Sequence, residues 1–255
     1  MKIIDCFTFY NELDLLEMRF EELYDVVDNF VLVEATTTHV GNPKELFFYN
    51  NKERYAKYFD KIIHVIVDDM PKSDNPWVPE KFQRNCINRG LSSIELSDTD
   101  LITICDVDEI PDGETLKYLK ENVPQGVVSL QMDFYTYNFN CKRELKWGHP
   151  KVVPMNIFKN IPIPEYMRHL KCERIEKGGW HLSNFGSIDF IRNKLSNYAH
   201  QEWNNDDHNN EEVIKKRIES CSDLFGREDE KYNYVKIEDN DHLPKNYKML
   251  HKYVI

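Results

Sequence analysis

Four short apolar runs punctuate the first 106 residues, and they limit the possible folds more than any other feature of the chain. They read KIIDCFTF (2–9), NFVLVEA (29–35), KIIHVIV (61–67) and LITICD (101–106). Each has the length of a buried strand, and the segments between them are long enough for helices. In the first such segment Leu13, Leu16, Phe20 and Leu23 form one apolar stripe, which predicts a helix over 12–25 with Asn11 as its cap. Residues 51–58 and 79–95 also read as helical, and 68–78, with two prolines, as a loop. Strands alternating with helices imply parallel βα units and an open sheet covered on both faces. Ligands of such sheets bind beyond the carboxyl ends of the strands. Three stretches are thereby singled out: Phe9–Glu12, Glu34–Thr38 and Asp106–Pro111.

The second half is less regular. Residues 112–123 read as a helix, the aromatic run 127–139 and 152–158 as strands, and 178–186 as strand plus loop. Residues 187–198 and 210–221 read as helices, joined by a polar connector at 204–212. No internal repeat or domain boundary stands out. The expectation is one α/β domain with a mostly parallel sheet, helices on both faces and a C-terminal helical appendage.

Charge excludes some function classes. Lysine and arginine number 33 against 44 carboxylates, a net charge of −11. Sequence-independent binding to nucleic acid needs clustered positive charge, as does docking on anionic lipid, so neither partner is expected. No run approaches the ~20 apolar residues of a membrane span. The N-terminal apolar stretch runs into Asn11, Glu12 and Asp14, unlike a signal peptide. The six cysteines are scattered without a CxxC pair, and Cys6 and Cys105 read as reduced core residues. With no Asn-x-Ser/Thr sequon either, the expectation is a cytoplasmic protein of bacterial or viral type, without signal or anchor.

Three Asp-x-Asp triplets occur, at Asp98/Asp100, Asp106/Asp108 and Asp239/Asp241. Only Asp106-Val-Asp108-Glu109-Ile110-Pro111 directly follows a buried apolar strand. Carboxylates there would face the ligand crevice, and a hard dication shared with substrate phosphates would offset their burial. The bland alternative is a solvated turn ahead of the next helix, for which Asp112 alone would serve as cap. His181, in Gly178-Gly179-Trp180-His181, could complete a metal shell, with His200 as its rival. A carboxylate is needed to take a proton from an acceptor hydroxyl, and Asp189 or Glu202 could supply it. Asp189 equally suits the first turn of a helix.

These motifs together resemble glycosyltransferase family 17. The resemblance covers nearly the whole chain and rests on three blocks in order. The first is 11–48, where Glu12, Asp14, Arg19, Glu22, Asp25, Asp28, Glu34, Gly41 and Pro43 match the family's residue types. The second is DVDEIP (106–111), and the third is GWHLSNFGSIDFIRNKL (179–195), with a carboxylate at Asp189. The resemblance implies a GT-A fold, a UDP-sugar donor (UDP-GlcNAc), a glycan acceptor, a divalent metal (Mn²⁺ or Mg²⁺) and inversion to a β linkage. It implies metal binding by Asp106, Asp108 and His181, with Asp106 also on the donor diphosphate. It places Glu12 and Glu34 at the nucleoside, Arg84 near the diphosphate, and Asp189 or Glu202 as the base. Residues 1–111 would form the nucleotide-sugar half and 112–255 the acceptor half, although 133–178 departs from the animal enzymes.

Two other readings stay open: an enzyme of the same scaffold with another donor, or a carbohydrate-binding protein without turnover. The run Phe134, Tyr135, Tyr137 and Phe139 could stack on sugars, or could simply pack a strand face.

Overall fold

The computed structural model describes residues 1–253. The four apolar runs are strands β1 (Ile3–Phe9), β2 (Asn29–Ala35), β3 (Ile62–Val67) and β4 (Leu101–Asp106). They pair in parallel in the order β3-β2-β1-β4, with Phe7 opposite both Leu32 and Cys105. Period-two alternation sorts their side chains. Ile3, Phe7, Phe30 and Leu32 meet Leu16, Phe20 and Leu23 of the helix Leu13–Leu23 on one face. Ile4, Cys6, Val31, Val33, Ile102 and Ile104 pack on the other, with Ile87 and Leu91 of the helix Ile87–Leu91.

Beyond β4 the pairing changes direction. The remaining strands are β5 (Glu109–Pro111), β6 (Val128–Thr136), β7 (Cys141–Arg143), β8 (Lys151–Pro154), β9 (Glu173–Ser183) and β10 (Tyr232–Tyr234). The sheet continues β4-β8-β6-β7-β10, antiparallel throughout. β9 pairs in parallel with β6 and antiparallel with β5. The expected parallel sheet therefore describes the first half, and the whole is a mixed α/β sheet clothed in helices, compatible with a GT-A-like fold.

Several local expectations change. Asn11 does not cap the first helix; Glu12 takes the cap position, and its carboxylate folds back onto the Tyr10 and Asn11 amides. The strand read over 152–158 stops at Pro154, which brings no amide to a ladder, and Met155–Phe158 is a helical turn. The helix read over 79–95 is two, Trp77–Asn85 and Ile87–Leu91. The C-terminal region adds more than helices. Tyr232–Tyr234 extends the sheet edge, and Tyr247 and Leu250 fold back onto Leu15, Met18 and Trp180.

Cys6 and Cys105 are free and buried, as expected. Cys141 and Cys221 form a disulfide joining β7 to the end of the helix Glu211–Glu219, a pairing the sequence reading did not make. Such bonds belong with oxidising compartments, which pulls against the cytoplasmic expectation. Among the described residues no helix is long and apolar enough to cross a membrane.

Candidate active site

The strand ends β1, β2 and β4 open on a cavity of about 730 Å³. Its most organised wall is the turn Asp106–Glu109, which the core fixes from below. Asp5 points from β1 into the apolar face and pairs with Arg19, both fully buried (Nη2 to Oδ1, 2.7 Å). The other arm of Arg19, Nη1, donates to the carbonyls of Asp106 (3.1 Å), Val107 (3.2 Å) and Glu109 (2.6 Å). A buried guanidinium thus satisfies a carboxylate and three turn carbonyls at once, which holds the turn's backbone in one shape.

The same turn is gripped from above by β9. Antiparallel pairing sets Glu109 opposite His181, Ile110 opposite Trp180 and Pro111 opposite Gly179. Gly179 has φ +136°, and a Cβ there would lie 2.1 Å from the Ile110 carbonyl oxygen, so only glycine permits this approach. The register delivers the His181 imidazole to Asp108, Nε2 standing 3.6 Å from Oδ1. Phe134 meets the ring edge-on (4.4 Å) and Trp147 lies tilted against it (4.6 Å). The Nδ1 atom of His181 is buried without a hydrogen-bond partner.

The carboxylates of the turn have different partners. Asp106 accepts from Thr8 Oγ1 (2.8 Å), Arg168 Nη2 (2.8 Å) and Arg84 Nη2 (3.1 Å). Burial works to raise its pKa, but Arg168 and Arg84 outweigh it and hold the carboxyl far below the usual range. Glu109 accepts from both arms of Arg168 (2.7 and 2.6 Å) and from Trp147 Nε1 (2.5 Å). On Asp108 burial is again outweighed, here by Lys194 (3.1 Å to Oδ2) and His181. Glu12 behaves oppositely: burial pushes its pKa up, with Lys194 only partly offsetting.

The sequence-derived residues divide accordingly. Glu12, Arg84, Asp106, Asp108 and His181 all line the cavity, as does His200. Glu34 does not. It lies on the Phe30 and Leu32 face of β2, fully buried, where it accepts from the Phe48 amide (3.0 Å) and His64 (2.9 Å) and pins the segment after β2. Asp189 is exposed on the first turn of the helix Ile188–Asn197, outside the cavity wall. Glu202 is 55% exposed and turned onto His200 Nδ1 (2.6 Å), also off the wall. Of the aromatic run, Phe134 lines the cavity, whereas Tyr135 and Phe139 are core. Sequence reasoning assigned no role to Arg19, Lys194 or Arg168. Lys194 carried a signal, a lysine beside the inward Ile191 and Leu195; Arg168, in the five-residue helix Pro164–Arg168, carried none.

Among the described residues no three His, Cys, Asp or Glu side chains converge as a ready metal shell. Two do fit a hard dication. Asp108 Oδ1 accepts no hydrogen bond, and it faces His181 at 3.6 Å, near the roughly 3 Å edge of an octahedron with ~2.1 Å bonds. Two protein ligands, with phosphate oxygens and water completing the shell, is a usual arrangement for Mg²⁺. Asp106, by contrast, gives both oxygens to arginines and Thr8. The wall as a whole carries seven lysines and arginines against seven carboxylates, while the chain's net charge is −11. The wall is therefore balanced in charge where the chain as a whole is acidic, which lessens the repulsion an anionic ligand would meet.

Comparison with known proteins agrees with this geometry. The sequence model of Glycosyltransferase family 17 matches residues 1–254. The chain belongs to glycosyltransferase family 17. Within that family it is similar to rat and human proteins named beta-1,4-mannosyl-glycoprotein 4-beta-N-acetylglucosaminyltransferase, each 32% identical over 127 residues. The mouse protein of that name matches to the same degree. These matches take in 47% of this chain and 23–24% of the relatives, so the chain spans about a quarter of their length.

Proposed function

We propose that the chain moves N-acetylglucosamine from UDP-GlcNAc to a glycan hydroxyl, inverting the α-linked donor to a β-linked product, with Mn²⁺ or Mg²⁺ on the diphosphate. The observation that carries this reading is the Asp108–His181 pair beside Lys194, set in a charge-balanced wall of an acidic chain. The names of the mammalian relatives support the sugar and the β linkage. Residues 1–111 supply the nucleotide side of the cavity and 112–255 the acceptor side.

Asp108 and His181 would hold the cation, which when bound stabilises the charge developing on the leaving diphosphate. The remaining work falls to the chain's own groups. Phe134 and Trp147 fix the plane of His181. Lys194 keeps Asp108 ionised. Arg84 and Arg168, both buried and charged, hold Asp106 and add positive field at the diphosphate without having to reorganise.

The test combines the purified protein with UDP- and GDP-sugars, a panel of p-nitrophenyl glycosides that includes a β-mannoside, and Mn²⁺. Transfer of GlcNAc with a β anomeric signal is expected, as is UDP binding that tightens with Mn²⁺ in calorimetry. Asp108→Asn should abolish transfer while the protein still unfolds in one cooperative transition, at a melting temperature lowered by the loss of the Lys194 pair. Near-normal turnover by that variant overturns the site assignment. Metal-independent UDP binding overturns the metal, and sugar binding without any transfer favours a carbohydrate-binding protein.

A further inference from the structure

With Asp189 and Glu202 outside the cavity, the proton of the acceptor hydroxyl needs another destination. Seven carboxylates line the cavity, and six of them are already paired with arginine or lysine. Asp106 is held by Arg84 and Arg168, Glu109 by Arg168, and Asp108 by Lys194. Glu80 and Glu165 share Arg84, and Glu230 is bound by Arg143. A carboxylate in such a pair already carries a cation where an incoming hydroxyl would have to bind.

Glu12 is the exception. Its Oε2 accepts from the amides of Tyr10 (3.2 Å) and Asn11 (3.0 Å), and among the described residues Oε1 accepts no hydrogen bond and no cation lies in salt-bridge contact. The side chain is 8% exposed, at the end of β1, with Lys194 and Asp108 in its field. Burial raises its proton affinity, as a base working near neutrality requires. Glu12 is also the one described residue lining both this cavity and a second, of about 540 Å³, whose wall includes Asp14, Ser187 and the half-buried Phe190, so it stands where the two cavities meet.

We propose that Glu12 is the catalytic base of the transfer, a reading that rests on the function proposed above. The acceptor O–H proton passes to Glu12 Oε1 as the oxygen forms its bond to the donor's anomeric carbon. The bond from that carbon to the phosphate oxygen breaks, and its electron pair leaves with the nucleoside diphosphate. This differs from the role expected at the sequence level, where Glu12 meets the nucleoside.

Glu12→Gln separates the two roles, because glutamine still accepts from the two amides but cannot take a proton. With UDP-GlcNAc and the best acceptor of the glycoside panel, kcat should fall about 10²–10⁴-fold. Donor KM and UDP affinity should stay within about twofold. Glu12→Asp, which keeps a carboxylate, should lose less of kcat than Glu12→Gln does. A Glu12→Gln kcat within about threefold of wild type overturns the base, and so does a loss of UDP binding that tracks the loss of transfer. If Glu12→Gln does not fold, Glu12→Asp carries the test: kcat must fall with UDP affinity unchanged, and any other outcome overturns the proposal. Failure of the wild-type protein to turn over any donor is a different result, and defeats the proposed function itself.

Discussion

In the first half of the chain the strands are parallel, with β1, β2 and β4 buried on both faces and β3 at the sheet edge, and two apolar clusters hold them. In the second half the pairing is mixed, antiparallel out to a sheet edge but with β9 parallel to β6, and polar ties share the work with smaller apolar clusters: the Cys141–Cys221 bond, His242 between two aspartates, and Arg143 on Glu230. The site lies where the two regimes meet, on a turn that follows β4 and a strand, β9, that belongs to the second. A rigid parallel core can present charged groups in fixed positions. A second half held in part by polar ties and a disulfide can vary the surface around them.

The largest effect should come from the fully buried ion pair beneath the turn. Arg19→Ala leaves Asp5 as an unpaired charge in the core and releases three turn carbonyls. Loss of about 3–5 kcal/mol in denaturant unfolding is expected. A double replacement of Arg19 by Met and Asp5 by Leu should recover much of that stability but none of the transfer activity. If the double variant stays active, the turn does not need its clamp.

The second half should yield to a different agent. Reduction, or Cys221→Ser, opens a bridge spanning 80 residues and should cost about 2–4 kcal/mol. The sharper expectation concerns distribution. Hydrogen exchange should rise over 137–143 and 187–227 and stay unchanged over β1, β2 and β4. Uniform acceleration across the sheet would mean that the two halves unfold as one unit.

The smallest effect is a pH dependence confined to the tail. His242 sits between Asp133 (Nδ1 to Oδ2, 2.8 Å) and Asp112 (Nε2 to Oδ2, 3.1 Å). Burial works against its protonation, but the two carboxylates prevail and its pKa is raised. A raised folded pKa gives stability that is full below the unfolded value of about 6.5 and is lost as pH climbs through the folded one. The melting temperature should therefore drop as pH climbs above about 6.5, by less than disulfide reduction lowers it. His242→Gln should flatten that part of the profile. An unchanged slope in the variant would assign the drop to another group.

What the sequence revealed follows the same division. β1, β2, β3 and β4 were legible within a residue at each end, because short runs this apolar leave little alternative to a strand, central for β1, β2 and β4 and at the edge for β3. The Asp106–Pro111 turn was legible for the same reason. Glu34 was misplaced because proximity to a strand's end does not say which face a side chain takes; it follows Phe30 and Leu32, two residues at a time, away from the cavity. Asp189 was misplaced by helix geometry. Standing two residues before the buried Ile191, it lies roughly 160° round the helix, on the outer side. Arg168 and the Cys141–Cys221 bond had no periodic signature, since both depend on contacts between segments far apart in the chain.

His181 reaches Asp108 through strand register alone, and register has a parity. One residue inserted between Gly179 and His181 would rotate the imidazole to the opposite side of the ribbon and swing a neighbour into its place. That stretch is therefore constrained in length as well as in the identity of Gly179 and His181. Among functional descendants of this protein, gains and losses of residues should collect in the polar connector near 204–210, and the span between Gly179 and Leu182 should keep its count.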